Sequence, residues 1–137
     1  MKAVFADSFY WIALANPKDH AHDKVVSFSR SLPSTLIVTT DEVLTEFLTF
    51  CSSDSLLRVA AAEAVEDLLA AKTERVIPQN RGSFLAGLQL YRSRPDKSYS
   101  LTDCISVQMM RRESITDALT NDRHFQQEGF RAVFREP

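Results

Sequence analysis

The sequence predicts a three-layer α/β/α sandwich around a mostly parallel five-stranded sheet. Short apolar runs such as Val4-Phe5-Ala6 and Leu36-Ile37-Val38 are each followed by a stretch with helical spacing. No hairpin turn joins one apolar run to the next, so the connections read as crossovers, and crossovers favour parallel strands. The chain has 137 residues, 45% hydrophobic and 25% charged, which suits a single core. Residues 1–137 therefore read as one domain.

The elements follow in order. Val4-Phe5-Ala6 is a buried strand ending at Asp7. Ser8 is placed to cap a helix over Phe9–Ala15, which Asn16-Pro17 stops. A second helix is expected over Asp19–Leu32, with Val25, Val26 and Phe28 inward and Pro33 as its end. Leu36-Ile37-Val38 is the second strand, and a helix starts at Thr39 or Thr40. That helix carries Val43, Leu44, Phe47, Leu48, Phe50 and Cys51 at helical spacing. A long Ala- and Glu-rich helix covers Ser55–Lys72, and Arg75-Val76-Ile77-Pro78 is a third strand. Helices fit Gly82–Tyr91 and Leu101–Arg112, separated by the polar loop Ser93–Ser98. Leu119-Thr120 and Ala132-Val133-Phe134 complete the five strands.

Composition removes several function classes. Three glycines leave no G-x-G-x-x-G and no Walker loop. Two cysteines, Cys51 and Cys104, both in helical patterns and without a C-x-x-C, read as reduced and buried rather than as a zinc or disulfide site. No segment reads as a signal peptide or membrane span, so a cytoplasmic protein with no membrane partner is expected. The net charge of -2 argues against a protein that coats DNA. It conceals an asymmetry: residues 1–74 carry −5 and residues 75–137 carry +3. Arg81, Arg92, Arg94, Lys97, Arg111, Arg112 and Arg123 are candidates for holding a nucleic-acid backbone.

Ligand sites of open parallel sheets lie beyond the carboxyl ends of the strands. Asp7 ends the first strand; Thr120, Asn121 and Asp122 end the fourth. Glu46 and Asp103 interrupt helices that otherwise look buried. Four carboxylates from separate elements that meet at one end of a sheet repel one another unless a cation neutralises them. An oxygen-only donor set suits Mg2+ or Mn2+. Such ions orient and acidify a water for attack on a phosphodiester. Each acid also has a structural reading. Asp103 fits a capping box with Ser100, Asp122 a helix cap, Asp7 a turn former and Glu46 a solvated helix residue.

The same residues resemble the motifs of PIN domains. Val4-Phe5-Ala6-Asp7-Ser8 is similar to their opening strand, and Glu42-Val43-Leu44-Thr45-Glu46-Phe47 to their second acidic motif. Tyr99-Ser100-Leu101-Thr102-Asp103 and Leu119-Thr120-Asn121-Asp122-Arg123-His124-Phe125 resemble the third and fourth. The motifs occur in family order along essentially the whole chain, and the length is similar to VapC-type toxins of toxin–antitoxin pairs. The resemblance implies an endoribonuclease dependent on Mg2+ or Mn2+, with Asp7, Glu46, Asp103 and Asp122 as metal-binding acids. It makes Ser8 and Thr120 the hydroxyls that support them. It also implies an RNA substrate, a small VapB-like antitoxin as partner, and a homodimer. Asn121 stands where some relatives have a further acid, which bears on whether a second metal is held. The alternative is a catalytically silent PIN-fold module that binds RNA or protein.

The remaining features carry structural expectations. Phe9, Tyr10 and Trp11 read as core or partner surface before base stacking. His20 and His22, two apart on a helix, diverge and do not form a metal pair. His124 and Arg111-Arg112 are expected at the surface. Phosphoaspartyl phosphatases of the haloacid-dehalogenase type need a second Asp two residues after the first, where this chain has Phe9.

Overall fold

The sheet has strand order β3-β2-β1-β4-β5, built from β1 (Lys2–Ala6), β2 (Thr35–Thr40), β3 (Glu74–Ile77), β4 (Asp117–Leu119) and β5 (Arg131–Ala132). The computed structural model describes residues 2–32 and 34–136. Every pairing is parallel, so the expected mostly parallel sheet is parallel throughout. Phe5 pairs with Val38 on one side and Ala118 on the other, all three almost fully buried. The strands are apolar on both faces because helices cover both.

Seven helices are formed among the described residues: α1 (Ser8–Ala15), α2 (His22–Ser31), α3 (Asp41–Phe50), α4 (Ser55–Ala70), α5 (Arg81–Ser93), α6 (Leu101–Arg112) and α7 (Arg123–Gln127). The chain steps from β1 to β2 to β3 in one direction, then returns past β1 to β4 and β5. Right-handed crossovers therefore place α1–α4 on one face and α5–α7 on the other. In keeping with this, α1 packs on α2, α3 and α4, while α5 packs along α6. The reversal of direction falls between β1 and β4, and a crevice opens there at the strands' carboxyl ends. Asp7 and Thr120 are the residues that follow those two strands.

Several boundaries differ from expectation for identifiable reasons. Ser8 does not cap α1. Asp7 occupies the cap position, its backbone carbonyl accepting from Tyr10 N at 3.1 Å, and its side chain makes no cap bond. The second helix begins at His22 because Asp19 Oδ1 accepts from Ala21 N at 2.9 Å and holds a turn. Pro33, its expected end, lies outside the described residues. Thr40 caps α3 through its hydroxyl, Asp54 caps α4, and Asn80 forms a capping box with Ser83 that starts α5. The fifth strand is only two residues long. Val133–Arg135 turn into a 3-10 helix, where Phe134 packs against Phe9 and Phe28, with ring centroids 5.5 and 5.0 Å away.

The core takes in most of the expected apolar residues, but the α3 stripe is narrower than its pattern. Val43, Leu44, Phe47 and Cys51 are buried, whereas Phe50 is 56% exposed. Tyr10 and Trp11 are core residues, and Trp11 Nε1 donates to Thr39 Oγ1 at 3.3 Å.

Gly87 sets the approach of α5 to α6. A Cβ there would lie 3.1 Å from the Ile105 backbone nitrogen and would overlap the Ile105 side chain. Alanine is the better helix former by about 1 kcal/mol, but overpacking costs about 1–3 kcal/mol and backbone atoms cannot step aside. Gly87→Ala is expected to lower the unfolding free energy in urea by about 1–2 kcal/mol. An unchanged or higher midpoint would show that the two helices separate freely.

Candidate functional site

Asp7 sits at the carboxyl end of the central strand and is 6% exposed. Thr120 Oγ1, just beyond β4, donates to Asp7 Oδ2 at 3.0 Å and accepts from Asp122 N at 3.0 Å. One hydroxyl thus ties the first acid to the backbone of the fourth. On the other side, Thr39 Oγ1 donates to the Ala6 carbonyl at 2.9 Å, fixing the strand end that presents Asp7. Ser8 Oγ donates to Glu46 Oε1 at 2.6 Å, which aims Glu46 from α3 toward the start of α1. Three of these four bonds join elements distant in sequence, so the strand end is cross-braced.

Asp103 and Asp122 meet around a histidine. His124 Nδ1 lies 3.2 Å from Asp103 Oδ2 and 3.2 Å from Asp122 Oδ1. One potential ligand atom from each of these three residues falls within 4.8 Å of the others. Asp103 also completes the capping box of α6, Oδ2 accepting from Ser100 N at 3.0 Å while Ser100 Oγ accepts from Asp103 N. Asp122 caps α7 by accepting from His124 N at 2.9 Å. Asn121 is exposed, and its backbone carbonyl accepts from Arg135 at 3.0 Å.

The charges of these groups interact. Burial pushes the Asp7 carboxyl up to about 7, with Asp103 and Glu46 adding repulsion. The Ser8 backbone N–H and the Thr120 hydroxyl pull it back only in part. The ligand-distance group is Asp103, Asp122 and His124, while Asp7 and Glu46 lie outside it and Asp7 is near enough to Asp103 and Glu46 to be repelled; oxygen donors of this kind fit a hard divalent cation. His124, expected at the surface, is instead inside this group.

Behind His124 stands a second cluster that the sequence did not point to. Glu128, its side chain 4% exposed, accepts from Arg94 Nε at 3.0 Å, Arg111 at 3.0 Å and the Tyr99 hydroxyl at 2.9 Å. Burial alone would raise its pKa, yet the hydrogen bonds from Arg94, Arg111 and Tyr99 hold it down to about 2. Tyr99 packs edge-on against His124, centroids 4.9 Å apart, and Ser98 Oγ lies 3.3 Å from His124 Nε2. Arg111, expected as a solvated helix end, is exposed as expected and also reaches Glu128. No local motif marks Glu128, because its partners lie 17 to 34 residues away in sequence. The His22 ring lies 2.6 Å from the Ala13 carbonyl.

This is an α/β/α protein whose carboxylates converge where its sheet reverses direction. The PIN domain family model matches residues 4–130, and the chain belongs to that family. Among solved structures it is similar to the Mycobacterium tuberculosis toxin VapC20, described as cleaving the sarcin–ricin loop. The TM-score is 0.85 at 25% identity, covering 95% of this chain and 98% of that one. Two further likenesses show the fold. FitAB bound to a DNA fragment has a TM-score of 0.69 at 14% identity, covering 95% and 93% of the two chains. FitAcB from Neisseria gonorrhoeae has 0.65 at 12%, covering 94% and 95%. No curated protein matches the sequence. Among the described residues no helix is long and apolar enough to cross a membrane.

The raised Asp7 carboxyl has a consequence for stability. Between its ordinary value of 3.8 and about 7, folded Asp7 keeps a proton that the unfolded chain has lost. Its contribution is therefore complete below about pH 4 and is lost as pH rises through about 7, amounting to about 4 kcal/mol. In EDTA the melting temperature is expected to fall between about pH 4 and pH 7, and Asp7→Asn should remove most of that slope. An equal slope in the variant would show that Asp7 ionises freely in the fold.

Proposed function

We propose that the protein is a Mg2+- or Mn2+-dependent endoribonuclease that hydrolyses RNA phosphodiester bonds, the toxin of a toxin–antitoxin pair. The observation that supports this reading is the placement of Asp7 at the sheet's reversal point, with Glu46 and Asp103 near enough to repel it and Asp122 sharing His124 with Asp103. Family membership and the likeness to VapC20 support it. Those four acids would hold the ion, which when bound supplies neutralising charge and an acidified water for in-line displacement. The chain's own groups do the positioning. Thr120 orients Asp7, Ser8 orients Glu46, and the Ser100 backbone and His124 fix Asp103. Asn121 adds no negative charge beside Asp122, which favours one tightly held ion over two.

Two surfaces support the expected partners. A groove of about 340 Å3 between α1, α3 and α4 is floored by Trp11, Leu14, Phe47 and Leu68, with Asp67 and Glu74 on its wall. It suits an apolar helix carrying basic residues, as a small antitoxin would offer. Phe84, Leu85 and Leu88 form an exposed apolar stripe on α5 that suits a second copy of the chain.

The direct test is cleavage of RNA by the purified protein in Mn2+. EDTA should abolish it, and Asp7→Asn or Asp103→Asn should lower the rate by about a hundredfold or more with the circular dichroism spectrum unchanged. Expression should arrest growth, and co-expression of a small protein encoded beside it should relieve the arrest. Cleavage that survives both EDTA and the Asn variants would overturn the nuclease reading. So would no cleavage of any RNA together with undiminished RNA binding by the variants, the behaviour of a silent module.

A further inference from the structure

The polar loop between α5 and α6 forms one wall of a depression of about 260 Å3, lined by Tyr91, Arg94, Pro95, Lys97, Ser98 and Tyr99. It adjoins the acidic crevice directly: Ser98 Oγ is 3.3 Å from His124 Nε2, and the Tyr99 ring packs on the same imidazole. Its wall is therefore fixed to residues that touch Asp103 and Asp122.

The charge of this depression is opposite to that of the crevice. Glu128 beneath it is ionised and receives two guanidiniums, from Arg94 and Arg111, which leaves one positive charge in surplus. Lys97 lies at the rim. Its only ion-pair partner among the described residues is Asp96, 3.5 Å away and itself 71% exposed in its side chain. An exposed pair of that kind is weak and readily exchanged. Of the seven cations picked out in the sequence, Arg94 and Arg111 are committed to Glu128, and Arg112 lies 3.5 Å from Glu113. Arg81 stacks over Phe84 at 5.4 Å. Arg92 and Arg123 have no ion pair among the described residues, but neither lines the depression, where Lys97 is the cation held only by a weak partner.

A strand of RNA crossing the crevice meets four carboxylates, which repel every phosphate except one coordinated to a cation. We propose that the Tyr91–Tyr99 depression is a subsite for a backbone phosphate of single-stranded RNA next to the cleaved one. Lys97 is its mobile ligand, the Ser98 hydroxyl a donor, and the Arg94–Glu128–Arg111 node its fixed positive floor. The proposal rests on the nuclease reading for its substrate, but its test does not need catalysis.

The test is binding of a fluorescein-labelled single-stranded RNA of mixed sequence, followed by anisotropy in EDTA over a range of salt. Each phosphate neutralised on a single strand contributes about 0.7 to the slope of log affinity against log salt. Lys97→Ala should reduce the slope by about that amount and weaken binding at low salt roughly threefold or more, while Lys97→Arg should restore both. In Mn2+, the same variant should raise KM for RNA by a similar factor and leave kcat and the melting temperature unchanged. An unaltered slope would overturn the proposal, as would a loss confined to binding of a protein partner. A Lys97-dependent slope in a protein that cleaves no RNA would sustain the subsite and overturn the nuclease reading, so the two fail separately.

Discussion

Burial of one carboxylate at the end of the central strand governs much of this molecule. Asp7 is withdrawn from water between the ends of β2 and β4, and its neighbours Glu46 and Asp103 repel it further. An unpaired carboxylate in such a place costs several kcal/mol, so the surroundings must hold it by other means. They do so through hydroxyls and backbone groups, with no Lys or Arg side chain against Asp7 among the described residues. Thr120, Thr39 and Ser8 brace the strand end, β2, α3 and β4 against one another around it. The raised Asp7 carboxyl is the electrostatic cost that remains after this bracing. A fold that needed only stability would place a threonine or an alanine there.

The compensation for a crowded acidic crevice lies next to it. Glu128 gathers Arg94 from the end of α5, Arg111 from the end of α6 and Tyr99 from the loop between them. Only Glu128 is nearly buried in this node, so removing either half-exposed guanidinium leaves its charge less well paired. The node therefore works as a latch on the loop, and the loop in turn carries Tyr99 and Ser98 to His124. Acid and base clusters are thus coupled through one imidazole.

Much of this was legible in the sequence because it depends on short-range patterns. Apolar runs and helical spacing located the strands and helices, and the position of Asp7 and Thr120 at strand ends followed from the parallel topology. What escaped depended on tertiary contacts. Whether Ser8 would cap its own helix or turn to Glu46 is decided by where α3 packs, which no local pattern encodes. The shortened fifth strand reflects the ring packing of Phe134 on Phe9 and Phe28, and Ala132-Val133-Phe134 alone reads as extended. His124 was misplaced because position 124 on a short helix looks solvated until α6 is brought beside it. Glu128 was invisible for the same reason, since its partners come from two other elements.

The structural and chemical readings of Asp103 and Asp122 turn out to be compatible. An ionised carboxylate has two oxygens and about four lone-pair directions. Asp103 gives Oδ2 to the Ser100 N–H and the His124 ring, which leaves Oδ1 without a hydrogen bond among the described residues. Asp122 gives Oδ1 to the His124 backbone and likewise keeps Oδ2. A cap bond holds each side chain in one rotamer at a helix N-terminus, where the helix dipole also favours negative charge. The bonds that begin α6 and α7 thereby set the direction in which the remaining oxygens point. Capping would then be part of how the proposed site is preorganised: two helices that the fold needs for packing also fix two carboxylates, which would have little side-chain entropy left to lose in holding a cation.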